Sequence, residues 1–234
     1  MLHSFLRRAR NSVRDMIRPV EVCGRVEKHP SIELGDEGTS WSILDIGLKR
    51  GAVAYCVGVG TNVSFDLELI RRYSTEVHAF DPTPVSLAWV LKQSFPEQFH
   101  FHPVGLADFD GNLEFFPPRD PSHVSHSSVE RFGEKVEPIR LPVQRLTTLM
   151  RELGHKKLDL LKMDIEGSEY GVIDDLVREN VQIGQLLIEF HHRHPSIGME
   201  KTRKAISTLE AAGFKVFAVR SAGQDYSLFH PDHA

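Results

Sequence analysis

Apolar positions along this chain switch repeatedly between a strand-like and a helix-like rhythm, and that alternation predicts the fold class. Strand-like runs cover residues 52–57, 76–80, 99–106, 158–165, 185–190, 214–220 and 226–229. Between them, residues 64–73, 84–93, 147–153, 170–177 and 199–212 carry apolar residues at helical spacing. Strand, helix, strand in succession implies βαβ units and a mainly parallel sheet. The last two strands have no helix between them, which implies an antiparallel pair at the end of the sheet. Local chemistry agrees with the boundaries. Thr83 caps a helix that opens on Pro84, and Gly213 stops the helix before it.

Two segments break the rhythm. Residues 30–39 form an irregular, turn-rich lead-in. Residues 117–137 are polar and include His123, Ser125, His126, Ser127 and Ser128, as expected either of a loop that covers a substrate or of a plain linker. Asp110-Gly111-Asn112 marks a tight turn into a short hairpin excursion over 113–116. Before all of this, residues 1–18 place Leu2, Phe5, Leu6, Ala9, Val13, Met16 and Ile17 at helical spacing among five arginines. This basic amphipathic helix is expected to dock on protein, either its own domain or a second copy in a homo-oligomer, with membrane-surface contact as the less favoured reading. The chain therefore divides into an N-terminal helix and lead-in, residues 1–50, and an α/β domain, residues 51–234.

Composition narrows the function. The 234 residues are 41% hydrophobic and 26% charged, ordinary values for a globular α/β protein. A net charge of −4 gives no electrostatic reason to expect nucleic acid. Cys23 and Cys56 are too few for a disulfide framework, and no apolar run reaches the roughly 18–20 residues of a membrane span. A cytoplasmic location is expected.

The chemistry concentrates where strands end. Gly58-Val59-Gly60 directly follows the first strand, where side chains would occupy ligand space. Asp81 ends the next strand, 23 positions beyond Gly58, where a carboxylate can accept both hydroxyls of a ribose. Together they predict an adenosine-containing cofactor. Val63 stands where a dinucleotide fingerprint would carry its third glycine, so a pyrophosphate site is disfavoured. The strand at 158–165 empties into Asp164, Glu166 and Glu169 around Gly167, and the strand at 185–190 ends in Glu189-Phe190-His191-His192. In an extended chain Asp164 and Glu166 point to opposite sides and take different roles. For the same reason only one of His191 and His192 faces Asp164. One histidine with one or two carboxylates is a loose metal set, and no metal is assigned.

The successive segments Val77-His78-Ala79-Phe80-Asp81-Pro82-Thr83-Pro84, Val104-Gly105-Leu106-Ala107 and Leu161-Lys162-Met163-Asp164-Ile165-Glu166-Gly167-Ser168-Glu169 resemble the signatures of FkbM-type S-adenosylmethionine-dependent methyltransferases. The resemblance covers roughly residues 52–230, and Gly58-Val59-Gly60 with Ser64-Phe65-Asp66 is similar to a divergent branch. It implies a Rossmann-like class I methyltransferase sandwich with a mainly parallel seven-stranded sheet and an antiparallel last strand. It also implies S-adenosyl-L-methionine as cofactor and O-methylation of a hydroxyl on a small metabolite or sugar. Cofactor contacts are expected from Gly58, Gly60, Asp81, Pro82, Leu106, Ala107 and Asp164. Catalysis is assigned to Asp164 with His191 or His192, and substrate contacts to Glu166, His126 and Glu189. Cys56 stands where many such enzymes carry an acidic residue. A nicotinamide-dependent oxidoreductase and a non-catalytic nucleoside-cofactor-binding protein share the glycine turn and Asp81, and are the alternatives.

Overall fold

The computed structural model describes residues 22–45, 48–118, 128, 137–194 and 196–233. The expected N-terminal helix and His126 lie outside them. The chain opens with an antiparallel hairpin, β1 (Ser31–Leu34) and β2 (Trp41–Leu44). Then follow β3 (Val53–Val57), α1 (Ser64–Tyr73), β4 (Glu76–Phe80), α2 (Pro84–Val90) and β5 (Phe99–His102). Next come β6 (Gly105–Leu106), β7 (Gly111–Phe115), β8 (Ile139–Gln144), α3 (Leu146–Leu153) and β9 (Leu158–Met163). The C-terminal half adds α4 (Glu169–Arg178), β10 (Ile183–Glu189), α5 (Met199–Ala211), β11 (Lys215–Arg220) and β12 (Asp225–Phe229).

Seven strands form one sheet in the order β11-β12-β10-β9-β3-β4-β5. All its neighbours pair in parallel except those of β12, which runs antiparallel to both β10 and β11. The expected α/β architecture and antiparallel last strand are therefore present. The hairpin return places β12 one position inside the border, so β11 is the outer strand. Alternation along the central strands splits the core in two. Tyr55, Val57, Leu161, Met163, Leu186 and Ile188 pack with α3, α4 and α5, whereas Ala54, Cys56, Leu160 and Leu187 pack with α1 and the hairpin. A sheet buried on both faces in this way needs the near-continuous apolar strands that the sequence displays.

Three features depart from expectation. The run at 99–106 is two strands, because Pro103 interrupts the ladder: β5 stays in the main sheet and β6 joins β7 and β8 in a second, three-stranded one. The strand β8 had no counterpart in the sequence pattern. Its Pro142 is tolerated because β6 pairs only with Val143 and Gln144. The lead-in at 30–39 contains β1, and with β2 it closes onto the main sheet. Gln185 clamps it there: its buried carboxamide accepts from the Leu44 N–H at 2.8 Å and donates to the Leu44 carbonyl at 3.2 Å. Among the described residues no helix is long and apolar enough to cross a membrane.

Candidate active site

The carboxyl ends of β3, β4, β9 and β10 converge on a cavity of about 410 Å³, within the usual range for small-molecule sites. Its first wall is the glycine turn after β3. Gly58 has φ +90° and a β-carbon there would overlap the Asp164 carbonyl oxygen, with the Asp164 carbonyl carbon at 3.1 Å. Glycine is thus required at 58 by the neighbouring strand end, a different cause from the ligand space inferred from sequence. The Asp164 N–H bonds the Val57 carbonyl at 3.1 Å, which locks the turn to the end of β9.

Asp81 holds the same turn from the other side. Its Oδ2 accepts from the Val59 and Gly60 N–H groups at 3.0 and 2.9 Å, and its Oδ1 accepts from the Thr83 N–H and hydroxyl at 2.9 and 2.6 Å. A carboxylate has about four acceptor positions, so all are committed within the chain. A ribose would have to take over one or more of them. Pro82 and Leu106 line the cavity, as expected. Ala107 does not. It is buried with Phe115 and Val143 in the core of the small sheet, because β6 turns away at that point.

Beyond Met163 the strand ends, and this overturns the expectation that Asp164 and Glu166 face opposite sides. Glu166 adopts φ +50°, and the turn folds its carboxylate back beside Asp164. His191 Nε2 lies 3.8 Å from Asp164 Oδ1 and 3.5 Å from Glu166 Oε2. His191 Nδ1 meets Glu169 Oε1 at 2.7 Å, and that oxygen also accepts the Gly167 N–H at 3.0 Å. Glu169 is 0% exposed, and its second oxygen has no partner among the described residues. As expected, one of the two histidines joins the cluster. His192 turns instead to Thr202, whose hydroxyl is 3.3 Å from its Nδ1. From the 117–137 segment, Ser128 reaches the site. Both its N–H and its hydroxyl donate to the Glu166 carbonyl, at 3.1 and 3.0 Å.

The site is electrostatically lopsided. Among the described residues Asp66, Asp81, Asp164, Glu166, Glu189 and Asp225 line the cavity with one lysine, Lys162, and His191 stands beside Asp164 and Glu166. Burial lowers the proton affinity of His191, but the Glu169 hydrogen bond and the charges of Glu169, Glu166 and Asp164 outweigh it and push its pKa up to about 10. Burial, then the neighbouring Asp164 and Asp225 charges, raise Glu189 to about 8. Burial also raises Asp164, against the opposing pull of Lys162 and His191.

Several lining residues escaped the sequence reading. Trp41 arrives on β2, just past the segment read as irregular. Lys162 was a visible anomaly, a charge within an apolar strand. Its ammonium donates to the Gly58 carbonyl at 3.1 Å and sits 5.7 Å from the centre of the Trp41 ring. Asp66, on the first turn of α1, is buried beside Cys56, and its Oδ1 has no partner among the described residues.

Comparison with known proteins places this geometry in context. The family model of the methyltransferase FkbM domain matches residues 45–216. The probable methyltransferase-like protein 24 of Homo sapiens is 26% identical over 179 residues, and its Rattus norvegicus counterpart 27% over 178, each match covering 75% of this chain. This chain spans only 41% and 42% of those relatives' lengths. Among solved structures, a complex of the Haloferax volcanii Trm112 methyltransferase activator with a putative methyltransferase aligns at 12% identity and a TM-score of 0.41, covering 76% of this chain and 67% of that one.

Proposed function

This chain belongs to the FkbM methyltransferase family, and from that premise we propose that it is an S-adenosylmethionine-dependent O-methyltransferase acting on a hydroxyl of a small metabolite or sugar. The observation that carries the proposal is the junction of Gly58 with Asp164. The glycine turn expected to hold the cofactor and the strand end that opens the acidic signature are in direct backbone contact on one cavity.

The residues present fit the cofactor. A cavity lined by six acidic side chains suits a molecule that carries a sulfonium and an ammonium, and Asp66 Oδ1, buried without a partner among the described residues, is open to a polar group of the ligand. Gly58, Gly60, Asp66, Asp81, Pro82 and Leu106 would hold it. S-Adenosylmethionine supplies an electrophilic methyl group that is displaced in line from sulfur. The chain's contribution is then alignment and exclusion of water. Asp164, with its side chain 34% exposed at the cavity wall, accepts the proton of the acceptor hydroxyl. His191, braced by buried Glu169, fixes the orientation of Asp164. Glu166 and Glu189 accept hydrogen bonds from the other hydroxyls of the acceptor.

The proposal is tested by incubating the purified chain with S-adenosylmethionine labelled with ¹³C in the methyl group and a small-molecule extract. The methyl carbon's chemical shift distinguishes oxygen from nitrogen and sulfur products. New O-methyl resonances that depend on the chain are expected. Methyl transfer only to nitrogen or sulfur would contradict the acceptor class.

A further inference from the structure

We propose that Asp164, Glu166 and His191 form a divalent-cation site beside the reaction centre, with Glu169 as the residue that orients the histidine. One ligand atom from each of the three lies within 4.8 Å of the others. An ion held about 2.1 Å from each ligand places adjacent donors about 3.0–3.4 Å apart. Glu166 Oε2 at 3.5 Å and Asp164 Oδ1 at 3.8 Å from His191 Nε2 are a few tenths of an ångström from that spacing, and the two carboxylate oxygens lie within 4.8 Å of each other. By residue type alone, one histidine with one or two carboxylates is a loose set; the turn at Glu166 is what brings both carboxylates to the same histidine.

Independent support comes from behind the histidine. Metal-bound histidines donate their other ring N–H to a carboxylate, a backbone carbonyl or a water, which fixes the tautomer and aims the ligand nitrogen. Glu169 does this at 2.7 Å while completely buried, a position a carboxylate takes only when strongly paired. Its second oxygen has no partner among the described residues. Two carboxylate oxygens and one imidazole suit a hard or borderline divalent ion such as Mn²⁺. Three protein ligands leave open positions that face the cavity, where the ion would bind the acceptor oxygen and make its proton easier to lose.

The inference shares the cavity assigned under the methyltransferase reading, yet its test needs neither the cofactor nor the acceptor. The purified chain is titrated with MnCl₂ and free Mn²⁺ is read by its electron paramagnetic resonance signal. One saturable site is expected. Glu166→Gln and Asp164→Asn should weaken it at least about tenfold, and Glu169→Gln by about 10- to 100-fold. Circular dichroism establishes that each variant is folded. A second measurement on the wild-type chain alone covers any variant that does not fold: Mn²⁺ should broaden the ring resonances of His191 at lower added metal than those of His78. Absence of saturable binding, unchanged affinity in folded variants, or a sharp His191 signal in saturating Mn²⁺ would overturn the site. Retained S-adenosylhomocysteine binding in the same preparation would show that the cofactor reading stands when the metal site fails.

Discussion

Replacing Gly58 by Ala tests how the cofactor turn and the acidic strand end are joined. Two costs add. An L-residue in left-handed backbone conformations costs about 1–2 kcal/mol, and Gly58 sits at φ +90°. The new methyl group also overlaps the Asp164 carbonyl, so β3 and β9 must part locally. That movement strains the Asp164 N–H bond to Val57 and the Lys162 bond to the Gly58 carbonyl, both 3.1 Å and each worth about 1 kcal/mol net. The expected loss is about 3–4 kcal/mol. In urea, at a slope of about 2–3 kcal/mol per molar, the midpoint should fall by about 1–2 M. Gly51 supplies the control, since it has φ +77° and no atom lies within 4 Å of the point where a β-carbon would stand. Gly51→Ala should therefore show the backbone cost alone, about 1–2 kcal/mol. Equal midpoints for the two variants would refute the close approach of Gly58 to Asp164.

Asp164→Asn keeps the size and removes the charge, so turnover should fall about 100-fold or more while S-adenosylhomocysteine affinity, measured by calorimetry, changes less. His191→Ala should lower turnover far more than His192→Ala, because only His191 faces the carboxylates; equal effects in a methyl-transfer assay would argue against the assignment. Gln185→Leu leaves the Leu44 N–H and carbonyl without their buried partner, and urea unfolding should show a loss of about 2–4 kcal/mol. Away from the site, His78 packs among His100, His102, His155 and Tyr55, and burial followed by the neighbouring histidines lowers its pKa to about 3. The unfolded chain then binds a proton near pH 6.5 that the folded chain refuses, so this contribution to stability is complete above pH 6.5 and is lost as pH falls toward 3. His78→Phe should flatten urea midpoints measured between pH 7 and 5, and an unchanged slope would contradict the cluster's role.

Much of the scaffold was legible because burial on both faces leaves a plain mark on a strand. Residues 158–163 and 183–189 are apolar enough to be read without knowledge of their partners. The strand β8 left no such mark: it carries Arg140, Pro142 and Gln144, and its pairing is set by β6 and β7 rather than by its own composition. The hairpin β1–β2 was hidden because four-residue strands around a turn carry little periodic signal, although Trp41 supplies a wall of the cavity. Within the site, period-two alternation held for His191 and His192, of which it allowed only one to face Asp164 without saying which, and failed for Asp164 and Glu166. The difference is the left-handed turn at Glu166, a conformation that no side-chain pattern announces in a residue other than glycine. Ala107 was carried along with Leu106 by adjacency, but the chain leaves the cavity between them.

The central claim is that the cavity at the ends of β3, β4 and β9 binds an adenosyl cofactor, and calorimetric titration of the folded chain with S-adenosylhomocysteine tests it most directly. The account predicts saturable binding at one site per chain, with no comparable heat from NAD. Saturable binding of NAD with none of S-adenosylhomocysteine would contradict it.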